Sequence, residues 1–167
     1  MGNTSSVANG FINLSSETGS DLTNMKLVKL MYVAQGLSLS LLDRPLFNDD
    51  NIEAWKYGPV IPSIYHEFKH FKSNPITSNS VSLEGEGWDE LLEPKLIDED
   101  DRKIVLLTWR LYKDISAKEL VQLTHKEGTP WSLTYRYGEN RIISNNLIKK
   151  YYDRFVDNLE RQLKQSA

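Results

Sequence analysis

His66, Glu67 and His70 stand in the run H-E-F-K-H. Residues four apart on a helix project from one face, so both imidazoles could reach a single ion. Two His separated in this way, with a Glu between them, are the zinc pair and general base of a metallopeptidase. A catalytic zinc needs a third protein ligand and an open position for water, and Glu67 would take that water's proton. The chain has 3 His, so a three-His site must recruit His125. Lys69 would set a cation beside the ion, and the following F-K-S-N-P-I supplies neither the Gly nor the third His of the extended metallopeptidase patterns. A zinc hydrolase built on His66, Glu67 and His70 is therefore the alternative reading. The leading one places both His on a polar helix face, with no metal, no cofactor and no catalytic group. With 0 Cys, thiolate ligands, disulfides and cysteine nucleophiles are absent. Neither a G-x-S-x-G elbow nor a glycine-rich phosphate loop occurs.

Just upstream, A-W-K-Y-G-P-V-I-P packs Trp55, Tyr57, Pro59 and Pro62 into one short stretch. Gly58 precedes a proline, which restricts it to extended or glycine-only backbone. The stretch reads as a stiff corner between two helices. Trp and Tyr bury large areas and each want one polar partner, so Trp55 is expected to face inward beneath the corner. Lys56 or Tyr57 then faces outward, where aromatic residues serve as anchors for a partner protein.

Helices must position these residues. Val7, Ala8, Phe11, Ile12 and Leu14 outline a short amphipathic helix. Thr23 caps a second, on which Leu27, Leu30, Met31, Ala34 and Leu41 keep helical spacing. Leu37, Leu39 and Leu42 extend its apolar surface almost all round, marking it as the central helix of the core. Pro45 stops it. A third is expected over Ile61–Lys72, with Pro62 in its first turn. Residues 73–99 have little periodicity and read as a variable insertion. A short β element is expected in 74–98, from T-S-N-S-V-S-L and from W-D-E-L-L-E-P-K-L as a strand or helical turn. Glu99–Lys113 forms a fourth helix. Ser116 and Glu119 make a capping box that opens a fifth, which ends by Gly128. Ser144 caps the last, where Ile148, Tyr151, Tyr152, Phe155 and Leu159 recur at three and four. The expected class is mainly α: one compact domain over 1–167 of about six helices, with mobile ends at 1–5 and 163–167.

Net charge is −3, which leaves no basic surplus to neutralise many phosphates. Nucleic acid is not expected as a partner. Met25–Leu42 is apolar, but Lys26, Lys29, Gln35 and Ser38 interrupt it, so no membrane span is expected. No charged, apolar leader opens the chain, and the lack of Cys fits a reducing cytoplasm. Gly2 with Ser6 meets the short myristoylation pattern, but the favoured reading of these residues is the mobile start of a first helix.

Three stretches then carry a resemblance: M-K-L-V-K-L-M-Y-V-A-Q-G-L-S-L-S-L-L-D-R-P-L-F, I-E-A-W-K-Y-G-P-V-I-P-S-I-Y-H-E-F-K-H-F and L-T-H-K-E-G-T-P-W. In this order, from about Val7 to Phe155, the chain resembles the Panacea antitoxin domain, a family that includes phage-associated GepA-like and SocA-like proteins. Gly10 departs from it, standing where relatives more often carry an aromatic residue. G-L-S-L-S departs too, replacing the usual aromatic or His. The resemblance implies a mainly helical, non-enzymatic, prophage-type domain that binds a cognate toxin protein encoded nearby and neutralises it. In SocA-like members it also implies an adaptor that hands the toxin to a protease. Candidate toxin contacts are Trp55, Lys56, Tyr57, Tyr65, His66, His70 and Lys126. Gly58, Pro59, Pro62, Pro130 and Trp131 are expected to shape the motif.

Overall fold

The computed structural model describes residues 1–83 and 91–166. Seven α-helices and two small sheets are formed among them. Helix α1 (Thr4–Thr18) opens with a capping box between Asn3 and Ser6 and ends at Gly19, whose φ is 67°. Ser6, half of the acylation pattern, is thus committed to the cap. Helix α2 (Asn24–Leu41) is capped by the Thr23 hydroxyl.

Every residue of α2 from Leu27 to Leu39 is buried. It packs against α1, α3 (Pro62–Phe68), α4 (Glu99–Tyr112), α5 (Ala117–His125) and α7 (Asn145–Gln165). The all-round apolar pattern therefore marks the central helix as expected, except that Leu41 is exposed. Two motif residues of α2 act as scaffold. The Gln35 carboxamide accepts from the amides of Leu46 (2.8 Å) and Phe47 (3.2 Å) and donates to the Phe47 carbonyl (3.0 Å). This fastens the R-P-L-F exit to the helix. Gly36 lies against the ring of Tyr152, and a Cβ there would enter that ring. The glycine lets α7 approach at a distance no side chain permits.

Charged and hydroxyl caps fix the later helices where the sequence places them. Asp98 caps α4, with Glu99, Asp100 and Asp101 in its first turn. Ser116 and Glu119 form the capping box of α5, and Ser144 caps α7. Helix α5 ends at His125, three residues before Gly128, because Lys126 is extended (ψ 153°). A further short helix, α6 (Pro130–Thr134), follows, with the Thr129 hydroxyl as its cap and Pro130 in its first turn. It accounts for one helix beyond the expectation.

The stiff corner is a β-hairpin. Strand β1 (Glu53–Trp55) pairs antiparallel with β2 (Gly58–Val60), Trp55 opposite Gly58 and Glu53 opposite Val60. Strand β5 (Arg141–Ile142) adds to the other side of β1, giving the order β2-β1-β5. Lys56 and Tyr57 form the turn with ordinary negative φ. The positive φ that lets the strands close falls on Gly58, at 109°.

The expected third helix is shorter than predicted. Helix α3 stops at Phe68 and gives way to a 3-10 turn over Lys69–Phe71. Lys72 then turns the chain away with φ 56°. Part of the expected β element is present: β3 (Ser82–Leu83) pairs with β4 (Leu91–Leu92). The intervening part of the 73–99 segment, including the first residues of W-D-E-L-L-E-P-K-L, lies outside the described residues. The buried Asn9 side chain ties both flanks to α1. It accepts from the Ser80 amide (2.7 Å) and donates to the carbonyls of Ser80 and Pro94 (2.9 Å each).

Candidate partner-binding surface

The first and third motif stretches meet under the β1–β2 hairpin that the second one forms, and between them they hold three of its carbonyls. From α2, the Lys29 ammonium donates to the Pro59 carbonyl at 2.8 Å. From α5, His125 donates through Nε2 to the Lys56 carbonyl at 3.0 Å. An oxygen acceptor there requires the proton on that nitrogen. From α6, the Trp131 indole donates to the Trp55 carbonyl at 2.6 Å. His125 stacks on Trp131 (3.7 Å between centroids), and Trp131 stacks on Tyr135 (4.8 Å), so the two donors are themselves held in one aromatic column.

Lys29 is 0% exposed. Burial pulls its pKa down to about 7, because an ammonium loses its hydration there. Gly58 lies directly over it. A Cβ at position 58 would be 3.2 Å from Lys29 Cε and Nζ and 3.4 Å from Thr124 Oγ1. The Y-G-P sequence thus has a packing reason as well as a backbone one. Gly58 clears space for the lysine, and Pro59 supplies a carbonyl on a strand whose missing N–H is tolerated at a sheet edge.

Pinned from below, the hairpin presents its tip outward. Tyr57 is 58% exposed, and the Lys56 ammonium lies over its ring at 5.3 Å. Trp55 is half-buried rather than a core plug. Its indole donates to Glu53 at 2.6 Å, and its ring meets Tyr65 edge-on (5.2 Å) with His66 beside it (5.9 Å). Trp55, Tyr65 and His66 thus pack together, and Lys56 and Tyr57 pair at the turn that follows Trp55. His70 points elsewhere, packing on Phe71 (4.2 Å) and donating through Nδ1 to the Glu67 carbonyl at 3.0 Å. Lys126 is exposed immediately beyond α5. Pro62 starts α3, while Pro130 and Trp131 start α6.

Sequence reasoning missed two exposed residues, Ile142 and Tyr137. Ile142 pairs with Glu53 and so shares the sheet face of Trp55; it is 56% exposed. Tyr137, at the tip of the turn closed by the Arg136–Glu139 bridge, is exposed as well. The R-Y-G-E-N-R-I-I sequence carried a signal for this turn, a glycine before paired β-branched residues.

A helical zinc pair is not formed. The end of α3 at Phe68 takes His70 off the helix that carries His66, and His125 is committed to Trp131 and the Lys56 carbonyl. Among the described residues, no group of three or more His, Cys, Asp or Glu is arranged to hold a metal ion. No helix among them is long and apolar enough to cross a membrane.

A family model for the SocA-like antitoxin Panacea domain matches residues 27–132. This span contains Lys29, the hairpin, His125 and Trp131. The chain belongs to the SocA-like Panacea antitoxin family. It is also 31% identical over 135 residues to the antitoxin SocA of Caulobacter vibrioides (strain NA1000 / CB15N), a match covering 76% of this chain and 67% of that protein. No solved structure matches it. The family match is narrower than the Val7–Phe155 resemblance and leaves α1 and α7 outside it.

Proposed function

We propose that this protein is the antitoxin of a toxin–antitoxin pair and neutralises its cognate protein toxin in the cytoplasm by direct binding through the hairpin surface. The observation that carries this reading is the hairpin itself: three buried or stacked donors from three helices fix its carbonyls while Tyr57 and Lys56 are left in solvent. A loop built only for connection has no need of such anchoring. A rigid tip bearing Tyr, with Trp55, Tyr65 and His66 beside it, loses little conformational freedom when a partner covers it. Its composition is that of interface hot spots. Membership of an antitoxin family supplies the class of partner. Delivery of the captured toxin to a protease is a further step of the same reading, visible as a shortened toxin lifetime.

Co-expression with the product of the neighbouring reading frame tests the proposal. The wild-type chain should relieve the growth arrest that product causes. A Trp55→Ala/Tyr57→Ala double variant should bind about thirtyfold more weakly, the equivalent of one hot spot of ~2 kcal/mol. Arrest that persists in the presence of the wild-type protein would remove the antitoxin reading. Full rescue by the double variant would remove the hairpin from it.

A further inference from the structure

Beyond the hairpin lie two small hollows that share Tyr151 as a common wall, one between α6 and α7 and the other among α2, α4, α5 and α7. One, about 130 Å³, is bounded by Pro130, Leu133 and Leu147 and edged by Lys150 and Arg154. The other, about 80 Å³, lies between Leu123, Thr124, Phe155 and Lys126. Leu133 is 59% exposed and Leu123 38%, so the apolar rim is open to solvent.

The charge here runs against the rest of the molecule. The chain as a whole carries −3, yet no Asp or Glu lines either hollow. Lys126, Lys150 and Arg154 are all exposed, and among the described residues none of them forms an ion pair. The adjacent Lys149 differs: it is matched by Asp43 and Asp153. Three uncompensated cations around an apolar groove create a local positive potential in a low-dielectric setting, which favours carboxylates.

Size decides between a small molecule and a polypeptide. Small-ligand sites enclose roughly 300–1,000 Å³. Hollows of about 80 and 130 Å³ side by side each take one side chain. We infer that this groove seats an acidic segment of the toxin polypeptide, with two apolar side chains in the hollows and flanking carboxylates on Lys126, Lys150 and Arg154. The inference rests on the toxin-binding reading above and adds the chemistry of the partner. The hairpin supplies aromatic contact, and the groove selects a negatively charged, apolar-anchored segment. Charges at such a rim act mainly on association rate and partner choice.

The test uses the full chain and the growth-arresting product of the neighbouring reading frame. Dissociation constants are measured by calorimetry at low and moderate salt, with thermal melts as a fold control. Lys126→Glu/Lys150→Glu/Arg154→Glu should weaken binding by about thirtyfold or more at low salt and flatten its salt dependence. The same three sites changed to Gln remove the charge without inverting it. They should weaken binding by about tenfold, and they carry the test if the Glu variant melts early. Binding within about threefold of wild type in the Gln variant, while Tyr57→Ala still weakens it, would overturn this inference and leave the antitoxin reading standing. A wild-type chain that neither binds nor rescues overturns both. Loss of single-stranded oligonucleotide binding in the triple variants, with toxin affinity retained, would assign the groove to phosphates and overturn the acidic-segment inference.

Discussion

Replacing Lys29 by Met separates the cost of a buried charge from the value of the hydrogen bond it makes. Lys29 is fully buried, and its pKa falls from 10.5 to about 7 through desolvation. At ~1.4 kcal/mol per pH unit, that fall corresponds to about 5 kcal/mol. The Pro59 carbonyl, accepting at 2.8 Å, opposes the fall by favouring the charged form. The unfolded chain keeps the proton until about pH 10.5, whereas the folded chain releases it near 7. Between these values the unfolded state binds more protons, so this group makes stability rise with pH across that window. Below pH 7 the penalty is present in full.

Met has no such titration, but it leaves the Pro59 carbonyl without its donor, at a cost of about 1–3 kcal/mol. At pH 6 the variant should therefore be more stable than wild type by about 2–4 kcal/mol. Near pH 10 the neutral amine still donates while about 1 kcal/mol of the penalty remains, so the order should invert, with Met less stable by up to about 2 kcal/mol. Urea titrations followed by tryptophan fluorescence from pH 6 to 10 measure the difference directly, and titrations common to both proteins cancel. Parallel stability curves would refute the reasoning, because they would mean that Lys29 keeps its ordinary pKa in the fold.

Gly36→Ala drives a Cβ into the Tyr152 ring; overpacking of this kind should cost about 1–3 kcal/mol or more and appear as a lowered Tm. Gly58→Ala combines a φ of 109° with a 3.2 Å approach to Lys29. It should destabilise by about 1–3 kcal/mol and alter the amide shifts of residues 53–60 more than those of α7 in an NMR spectrum. Burial raises the Tyr112 phenol from 10.0 to about 12 and the Tyr152 phenol well above its ordinary value. Their stabilising contribution is whole below pH 10 and is lost as pH climbs towards 12. Tyr112→Phe should therefore flatten the alkaline limb of the stability curve by up to ~1.4 kcal/mol per pH unit.

Much of the helical framework was readable because local chemistry decided it. The all-round apolar pattern of α2 could only be a central helix, and Ser116 with Glu119, Thr23 and Ser144 cap where their side chains predict. The hairpin was hidden for a physical reason. Its strands are three residues long, too short for alternation to show. Its Lys56–Tyr57 turn also lacks the usual Asn-Gly pair, because Gly58 takes the positive φ one position later. The end of α3 at Phe68 was equally silent, since Lys69–Phe71 keep helical propensity. Helix α6 did carry its signal, Thr129 before Pro130, but a five-residue helix offers no periodicity to confirm it. Of the proposed contacts, Trp55, Lys56, Tyr57, Tyr65 and His66 cluster. His70 departs with the 3-10 turn, and Lys126 stands apart at the end of α5. The donors beneath were invisible because each contact is non-local: in sequence, Lys29 looks only like a polar interruption of an apolar run.

That interruption bears on why the fold keeps such a costly residue. A methionine at position 29 would relieve the charge burial at neutral pH and fill a similar volume, so stability alone does not explain the lysine. What Met cannot do is hold the Pro59 carbonyl, and the hairpin has few other internal restraints. Its ladder spans three residues a side and gains only the two-residue strand β5 on the β1 edge, and so small a sheet is marginal in water without packing beneath it. The Lys29, His125 and Trp131 donors turn that marginal element into a fixed one. A fixed tip needs less ordering when a partner arrives. Stability given up in the core is thereby exchanged for preorganisation at the surface, which is the expected trade where selection acts on binding.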